Sequence, residues 1–231
     1  MTLRRQFLIG SLAGVGLLAL GSAAEEKKKK PAKSEPEEEV SPAEDLMREH
    51  GVLKRVLLVY REALRRLRAG EELPLEAVAD AARAIRSFIE DYHEKLEEEF
   101  LFPRFRRARK EVELVDVLQA QHLAGRRLTD ATLRATKAGS LKSAEEKSAL
   151  TESLALFVRM YEPHEAREDT ILFPAFRKIV SAHEYDALGD DFEKKEHELF
   201  GADGFERMVD RVAAIEKKLG IYDLARFTPK V

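Results

Sequence analysis

The sequence predicts an all-α fold in which four long helices form a bundle and an extra helical segment follows at the C-terminal end. Three observations carry this. Strong helix formers dominate, with no Trp and only 5 Tyr among 231 residues, a composition that favours helix over sheet. Apolar residues recur at alternating steps of four and three between capping signals, and no stretch shows the period-2 alternation of a strand. With 44% of residues apolar and 36% charged, there is ample material for one packed domain.

Composition also excludes. The chain has no Cys, which rules out disulfides, thiolate nucleophiles and Cys-ligated zinc or iron–sulfur sites. Lys and Arg number 40 against 43 Asp and Glu, a formal net charge of -3. That balance offers no general electrostatic footprint for nucleic acid, and no nucleic-acid partner is expected.

Residues 1–24 read as an export signal. Arg4 and Arg5 form its charged region, Phe7 to Leu20 its apolar run, and Ser22-Ala23-Ala24 supplies small residues for cleavage after Ala24. The run is shorter than the roughly 20 residues a membrane helix needs and is interrupted by Gly10, Gly14 and Gly16, so no stable membrane span is expected after cleavage. Arg4-Arg5-Gln6-Phe7-Leu8 resembles a twin-arginine signal, the route that exports proteins already folded, and implies a periplasmic or otherwise exported location. Residues 25–40 are almost entirely Glu, Lys, Pro, Ala and Ser, too polar to offset the entropy of ordering, and read as a flexible charged linker.

From residue 41 the punctuation is helical. Ser41-Pro42-Ala43-Glu44 combines an N-cap, a first-turn proline and a capping-box Glu, and Gly70 supplies the stop of helix 1. Pro74 opens helix 2, which is expected to run towards Pro103. Helix 3 spans Val112 to about Lys137, before Gly139. Ser143 with Glu146 caps helix 4, expected to run to Phe173, before Pro174. Ser181 with Glu184 starts a fifth helical region, broken around Gly201 to Gly204 and ending at Gly220. The folded domain is thus expected over residues 41–220, with 221–231 as a tail.

The seams of these helices carry polar chemistry. In helix 1, Leu46, His50, Leu53, Leu57, Tyr60, Leu64 and Leu67 share the inward face, and in helix 4 Leu150, Leu154, Phe157, Tyr161, His164, Glu168 and Ile171 do so. Helix 2 offers Ala82, Ile85, Ile89, His93, Leu96, Glu97 and Phe100, and helix 3 Val115, Leu118, His122 and Gly125. Each long helix therefore has one core-facing histidine. His50 and His93 lie at closely matched distances, roughly 30 Å, from the turn that joins their helices, and His122 and His164 match to within about a turn, so the four rings should share one layer.

An internal repeat lies beneath this. His93-Glu94-x-x-Glu97-Glu98-x-x-Leu101-Phe102-Pro103-x-Phe105-Arg106 matches His164-Glu165-x-x-Glu168-Asp169-x-x-Leu172-Phe173-Pro174-x-Phe176-Arg177. The fold reads as two copies of one helical hairpin related by an approximate twofold axis. In each copy His and Glu stand at i and i+4, about 6 Å apart at their roots, which presents a nitrogen and an oxygen to one ion.

Four imidazoles and two carboxylates in an apolar seam are costly unless paired. Two divalent cations resolve that cost, with Glu97 and Glu168 placed on opposite helices to bridge them. Nitrogen and oxygen ligation without sulfur suits iron or manganese, admits zinc, and fits calcium or magnesium poorly.

The pattern H…HxxxE…H…HxxxE, with two Leu-Phe-Pro turns, resembles the hemerythrin-like, or HHE cation-binding, family across roughly Ala43 to Gly220. The resemblance implies an up-down-up-down four-helix bundle holding two iron ions in a non-haem, oxo- or hydroxo-bridged di-iron centre that meets O2, nitric oxide or peroxide. Carried over position by position, the metal ligands it implies are His50, His93, Glu97, His122, His164 and Glu168. Respiratory members carry a further His on helix 3, four residues after the first; here that position is Arg126. The departure weighs against reversible O2 carriage. It leaves two readings, a protein that binds or senses O2, nitric oxide or iron, and a peroxidase- or catalase-like enzyme that consumes peroxide.

Several neighbours have two readings. Glu94, Glu165 and Asp169 are further candidate ligands, with a solvated flank preferred for all three. Arg126 can donate to a ligating carboxylate, although a solvent-facing position is preferred. Gly125 opens a wall beside the site or allows close helix packing. Pro163 removes a backbone donor next to His164 and is expected to bend the helix. The Leu-Phe-Pro turns, with Phe105 and Phe176, read as apolar plugs, and His183 and His197 as structural or exposed. A ferritin-like centre needs two Glu-x-x-His pairs; only Glu90 to His93 fits, so that alternative is rejected.

Overall fold

The structure, a computed structural model, describes residues 40–137 and 141–230. The expected leader and nearly all of the expected linker lie outside the described residues. Among the described residues the secondary structure is helical: α1 (Pro42–Ala69), α2 (residues 75–108), α3 (Val112–Thr136), α4 (residues 144–179), α5 (Ala182–Phe200) and α6 (Gly204–Leu219), then one 3-10 turn, Leu224–Phe227. None of these helices is long and apolar enough to cross a membrane.

The ends follow from local chemistry. Ser41 accepts a hydrogen bond from the Glu44 amide at the start of α1, and Ser181 accepts from the Glu184 amide at the start of α5. At α4 the box is complete: Ser143 Oγ accepts from the Glu146 amide at 3.1 Å, and the Glu146 carboxylate accepts from the Ser143 amide at 3.1 Å. Gly70 and Gly220 close α1 and α6 in the left-handed conformation, where a Cβ would be strained.

Helices α1 to α4 form the bundle, α1 packing on α2 and α4, and α3 packing on the same two. Short connections and the meeting of His50 with His93 make the order up-down-up-down. The expected C-terminal segment is two helices laid against this bundle. Helix α6 seats Met208, Val212, Ile215 and Leu219 against α1 and α2, tied by the Arg55 guanidinium donating to both Glu216 oxygens at 2.9 and 2.6 Å. Helix α5 buries Tyr185, Leu188 and Phe192, the last edge-on to Phe100.

Two boundaries differ from expectation. Helix α2 continues past Pro103 to Ala108, and α4 past Pro174 to Ile179. In each, a five-residue π turn comes immediately before, Glu97–Leu101 and Glu168–Leu172, with Phe102 donating to the Glu97 carbonyl and Phe173 to that of Glu168. Each proline then falls at the start of a renewed α segment, where its missing N–H costs little. A longer π stretch, Ile85–His93, precedes the first of these. Helix α4 also runs on through Pro163.

The π turns shift the inward stripe by about one residue. Ile171, expected inside, is 42% exposed, whereas Leu172 is fully buried. In α2 Phe100 is only partly buried while Leu101 and Phe102 are enclosed. The 3.6-residue count used on the sequence cannot see this, because each π turn takes extra residues to complete.

Candidate metal centre

The histidine and carboxylate seams meet in one buried layer. His50, His93, Glu97, His122, His164 and Glu168 are each no more than 3% exposed. His50, His93, Glu97 and Glu168 form one group whose donor atoms all lie within 4.8 Å of one another, and His122, His164 and Glu168 form a second. All six residues singled out from the sequence are therefore brought together, in two groups that share Glu168.

The four rings point the same nitrogen inward. His93 Nε2 lies 3.1 Å from His50 Nε2, and Glu168 Oε2 lies 3.3 Å from His50 Nε2 and 3.2 Å from His164 Nε2. Glu97 reaches His93 Nε2 at 3.9 Å through one oxygen and His122 Nε2 at 3.4 Å through the other. Both oxygens of Glu97, both of Glu168, and His122 Nε2 are buried without a hydrogen-bond partner. Unsatisfied acceptors facing one another across a dry layer are the arrangement a cation completes, and the donor set suits one or two transition-metal ions.

The other nitrogen of each ring is held from outside. Nδ1–H of His50 donates to Asp169 Oδ1 at 2.7 Å and that of His93 to Glu49 Oε2 at 2.7 Å. Nδ1–H of His122 donates to Glu98 Oε1 at 3.1 Å, and that of His164 to Gln121 Oε1 at 2.8 Å. This fixes the tautomer that leaves the Nε2 lone pair free for a cation. The repeat extends to these partners: Asp169 and Glu98 each follow an inner Glu, and Glu49 and Gln121 each precede a His. Asp169, a candidate ligand by sequence, is thus an outer acceptor, and Glu49, Glu98 and Gln121 join it in a role that only their equivalent places in the two copies signal in the sequence.

The charge states follow from the surroundings. Burial lowers the His50 imidazole, but Asp169 and Glu168 outweigh it and raise the ring to about 9. Burial holds His93 well below its ordinary value and His122 below it. Burial and the charge of Glu168 push Glu97 well above the carboxylate range. Glu168, against its own burial, is held well below that range by His164 and His50.

Three expected flanks are corrected. Glu94 and Glu165 are buried rather than solvated, because the π stretch Ile85–His93 rotates the first inward and the stripe of α4 is wide enough to enclose the second. Neither joins the inner pair of groups. Glu94 accepts from the Tyr161 hydroxyl at 2.6 Å, and burial raises Glu165 to about 7. Arg126 does not face solvent: its guanidinium lies 2.8 Å from Glu94 Oε2 and 2.8 Å from Glu98 Oε1, with a side chain 19% exposed. Beside Gly125 the wall is closed by Tyr161.

The Leu-Phe-Pro turns do more than plug one end. Phe173 stacks on His50 at 5.4 Å between centroids and Phe102 on His122 at 5.4 Å, while Phe105 and Phe176 meet each other below at 6.1 Å. His183 and His197 lie exposed on α5, outside the layer.

A bundle whose core holds a layer of imidazoles and carboxylates, each ring fixed by an outer acceptor, is the architecture of a cation-binding helical domain. The family profile of the hemerythrin HHE cation binding domain matches residues 41–176, and the chain belongs to that family. Uncharacterized proteins of Mycobacterium bovis and of two strains of Mycobacterium tuberculosis are each 48% identical to it, over 98% of this chain and 91% of theirs. No solved structure matches the chain significantly.

Proposed function

We propose that the layer holds two iron ions, with His50, His93, Glu97, His122, His164 and Glu168 as ligands and the two carboxylates shared between them, and that the protein binds or senses O2, nitric oxide or iron. The observation that carries this is the set of four unsatisfied carboxylate oxygens of Glu97 and Glu168 enclosed by four inward Nε2 atoms. Iron bound there supplies reversible redox chemistry toward a small oxidant. The chain's part is to hold the imidazoles aligned with Nε2 turned inward, through Asp169, Glu49, Glu98 and Gln121 at Nδ1, and to exclude water with Phe102, Phe173 and Tyr161.

A second reading, an enzyme that consumes peroxide, is favoured by Arg126. It stands where oxygen carriers have a further histidine and it engages Glu94 and Glu98, so it contributes charge beside the layer and no ligand. The twin-arginine-like residues Arg4 and Arg5 support an exported, periplasmic location; cell fractionation tests it, since wild type confined to the cytoplasmic fraction would refute the location and unaltered export of a variant with both arginines changed to Lys would refute the twin-arginine route.

The deciding experiment is elemental analysis of protein purified without added iron, with optical spectra of the reduced form before and after exposure to air. Near-stoichiometric iron, two per chain, with at least one ion lost in His93→Ala, supports the centre. A stable oxygenated spectrum supports binding, and sustained peroxide consumption supports the enzyme. Absence of any stoichiometric transition metal refutes both.

A further inference from the structure

The two halves of the layer are related by the internal repeat, yet their outer partners are not equivalent in charge. Around His50 and His93 both acceptors are carboxylates, Asp169 and Glu49, each at 2.7 Å from Nδ1. Around His122 and His164 one acceptor is the neutral amide of Gln121, and the other is Glu98 at 3.1 Å. The Glu98 charge is divided further: its Oε1 also faces the Arg126 guanidinium at 2.8 Å, and its Oε2 takes the Lys95 ammonium at 2.6 Å. Asp169 has one cation, Lys54, at 3.3 Å and more than half exposed.

An anionic acceptor on Nδ1 makes the opposite nitrogen a stronger donor to a metal, and a neutral amide does so far less. Glu49 and Gln121 occupy equivalent places, one residue before an inner histidine, and each reaches the histidine of the next helix. The change from carboxylate to amide is therefore the largest difference between two positions whose other outer acceptors, Asp169 and Glu98, are both carboxylates.

We propose that the two metal positions are unequal by design of these outer partners: the position held by His50 and His93 is the tight one, and the position held by His122 and His164 is weaker and exchangeable, with Glu49 and Gln121 as the positioning residues that set the difference. This rests on the dinuclear reading above. Loss of such an outer partner costs about 10–100-fold in metal affinity, so the two steps should be separated by at least about tenfold.

The test is anaerobic titration of the full metal-free chain with cobalt(II), followed by its visible absorption and by calorimetry. Wild type should bind two ions in two resolved steps. His164→Ala should abolish the weaker step and His93→Ala the tighter one. Gln121→Glu should tighten the weaker step about tenfold and leave the other unmoved, whereas Glu49→Gln, close in shape to the native side chain, should weaken the tight step towards its counterpart. Two coincident steps in wild type, or a Gln121→Glu variant with an unmoved second step, overturn the inequality while leaving the dinuclear centre standing. No cobalt uptake at all overturns the centre itself.

Discussion

A Cβ placed on Gly125 would overlap the hydroxyl of Tyr161 and come within 2.8 Å of the ring carbon that bears it. The ring cannot easily give way, since it is buried, packs on Phe157 and His164, and donates to Glu94. Gly to Ala inside a helix ordinarily stabilises by roughly 0.5–1 kcal/mol. Here overpacking should reverse the sign, and Gly125→Ala is expected to lose about 1–3 kcal/mol, read from urea unfolding. A gain in stability would show that Tyr161 is free to move.

Burying Glu97 opposite Glu168 costs stability unless a cation lies between them. Chelation is therefore expected to lower the thermal midpoint of wild type, by the equivalent of about 2.7 kcal/mol for an ion held at one hundred times its Kd. Under the same chelation Glu97→Gln should be the more stable protein, by about 1–3 kcal/mol, because the amide is neutral without taking up the proton that the buried Glu97 carboxyl requires, and it can donate to His122 Nε2. The same variant should retain less iron. Unfolding curves with and without chelator, beside metal analysis, give both readings, and a Glu97→Gln protein less stable than wild type in chelator would contradict the argument.

The inner layer was legible because two independent periodicities agreed. The alternation of threes and fours placed His50 and His164 inside, and the repeat of His-x-x-x-Glu before Leu-Phe-Pro supplied Glu97 and Glu168. Helix ends with a chemical signal, Ser41, Gly70, Ser143 and Gly220, were equally readable. The π turns were not, since nothing in the side chains of residues 97–101 or 168–172 announces an i→i+5 bond, and that is why Ile171 and the stops at Pro103 and Pro174 were misread. Arg126 and Glu94 illustrate a second limit. Each looks solvated alone, and only their pairing across two helices makes burial affordable.

That pairing gives an ordered expectation. Arg126→Leu removes the cation between Glu94 and Glu98 and leaves a carboxylate 1% exposed beside an apolar side chain. Breaking a buried pair costs about 3–5 kcal/mol, and the partial exposure of Arg126 points to the lower end. Tyr161→Phe removes one buried hydrogen bond to Glu94, whose carboxyl burial pushes well above the ordinary range, and should cost about 0.5–1.5 kcal/mol. The double variant should lose less than the sum, because both act on Glu94. Denaturant midpoints of the three proteins decide this, and strict additivity would mean that Glu94 does not couple them.

At the surface end of α1 the chain offers a pH dependence free of the metal layer. Arg65 and Arg66 both donate to Glu62, and Arg65 foremost, with Arg66 and against the opposing effect of burial, lowers its carboxyl from the ordinary 4.5 to about 2. A depressed folded-state value means that the ionised carboxylate contributes stability, in full above about 4.5, and that this contribution fades as pH falls towards 2. Wild type should therefore exceed Glu62→Gln in stability at pH 7 and by a smaller margin at pH 3. Salt should narrow the margin at pH 7 as well, since the guanidinium of Arg65 is half exposed. Urea midpoints of both proteins at pH 7, 5 and 3 test the sign; a margin that stays constant or widens on acidification would show that Arg65 and Arg66 do not hold Glu62 ionised in the folded chain.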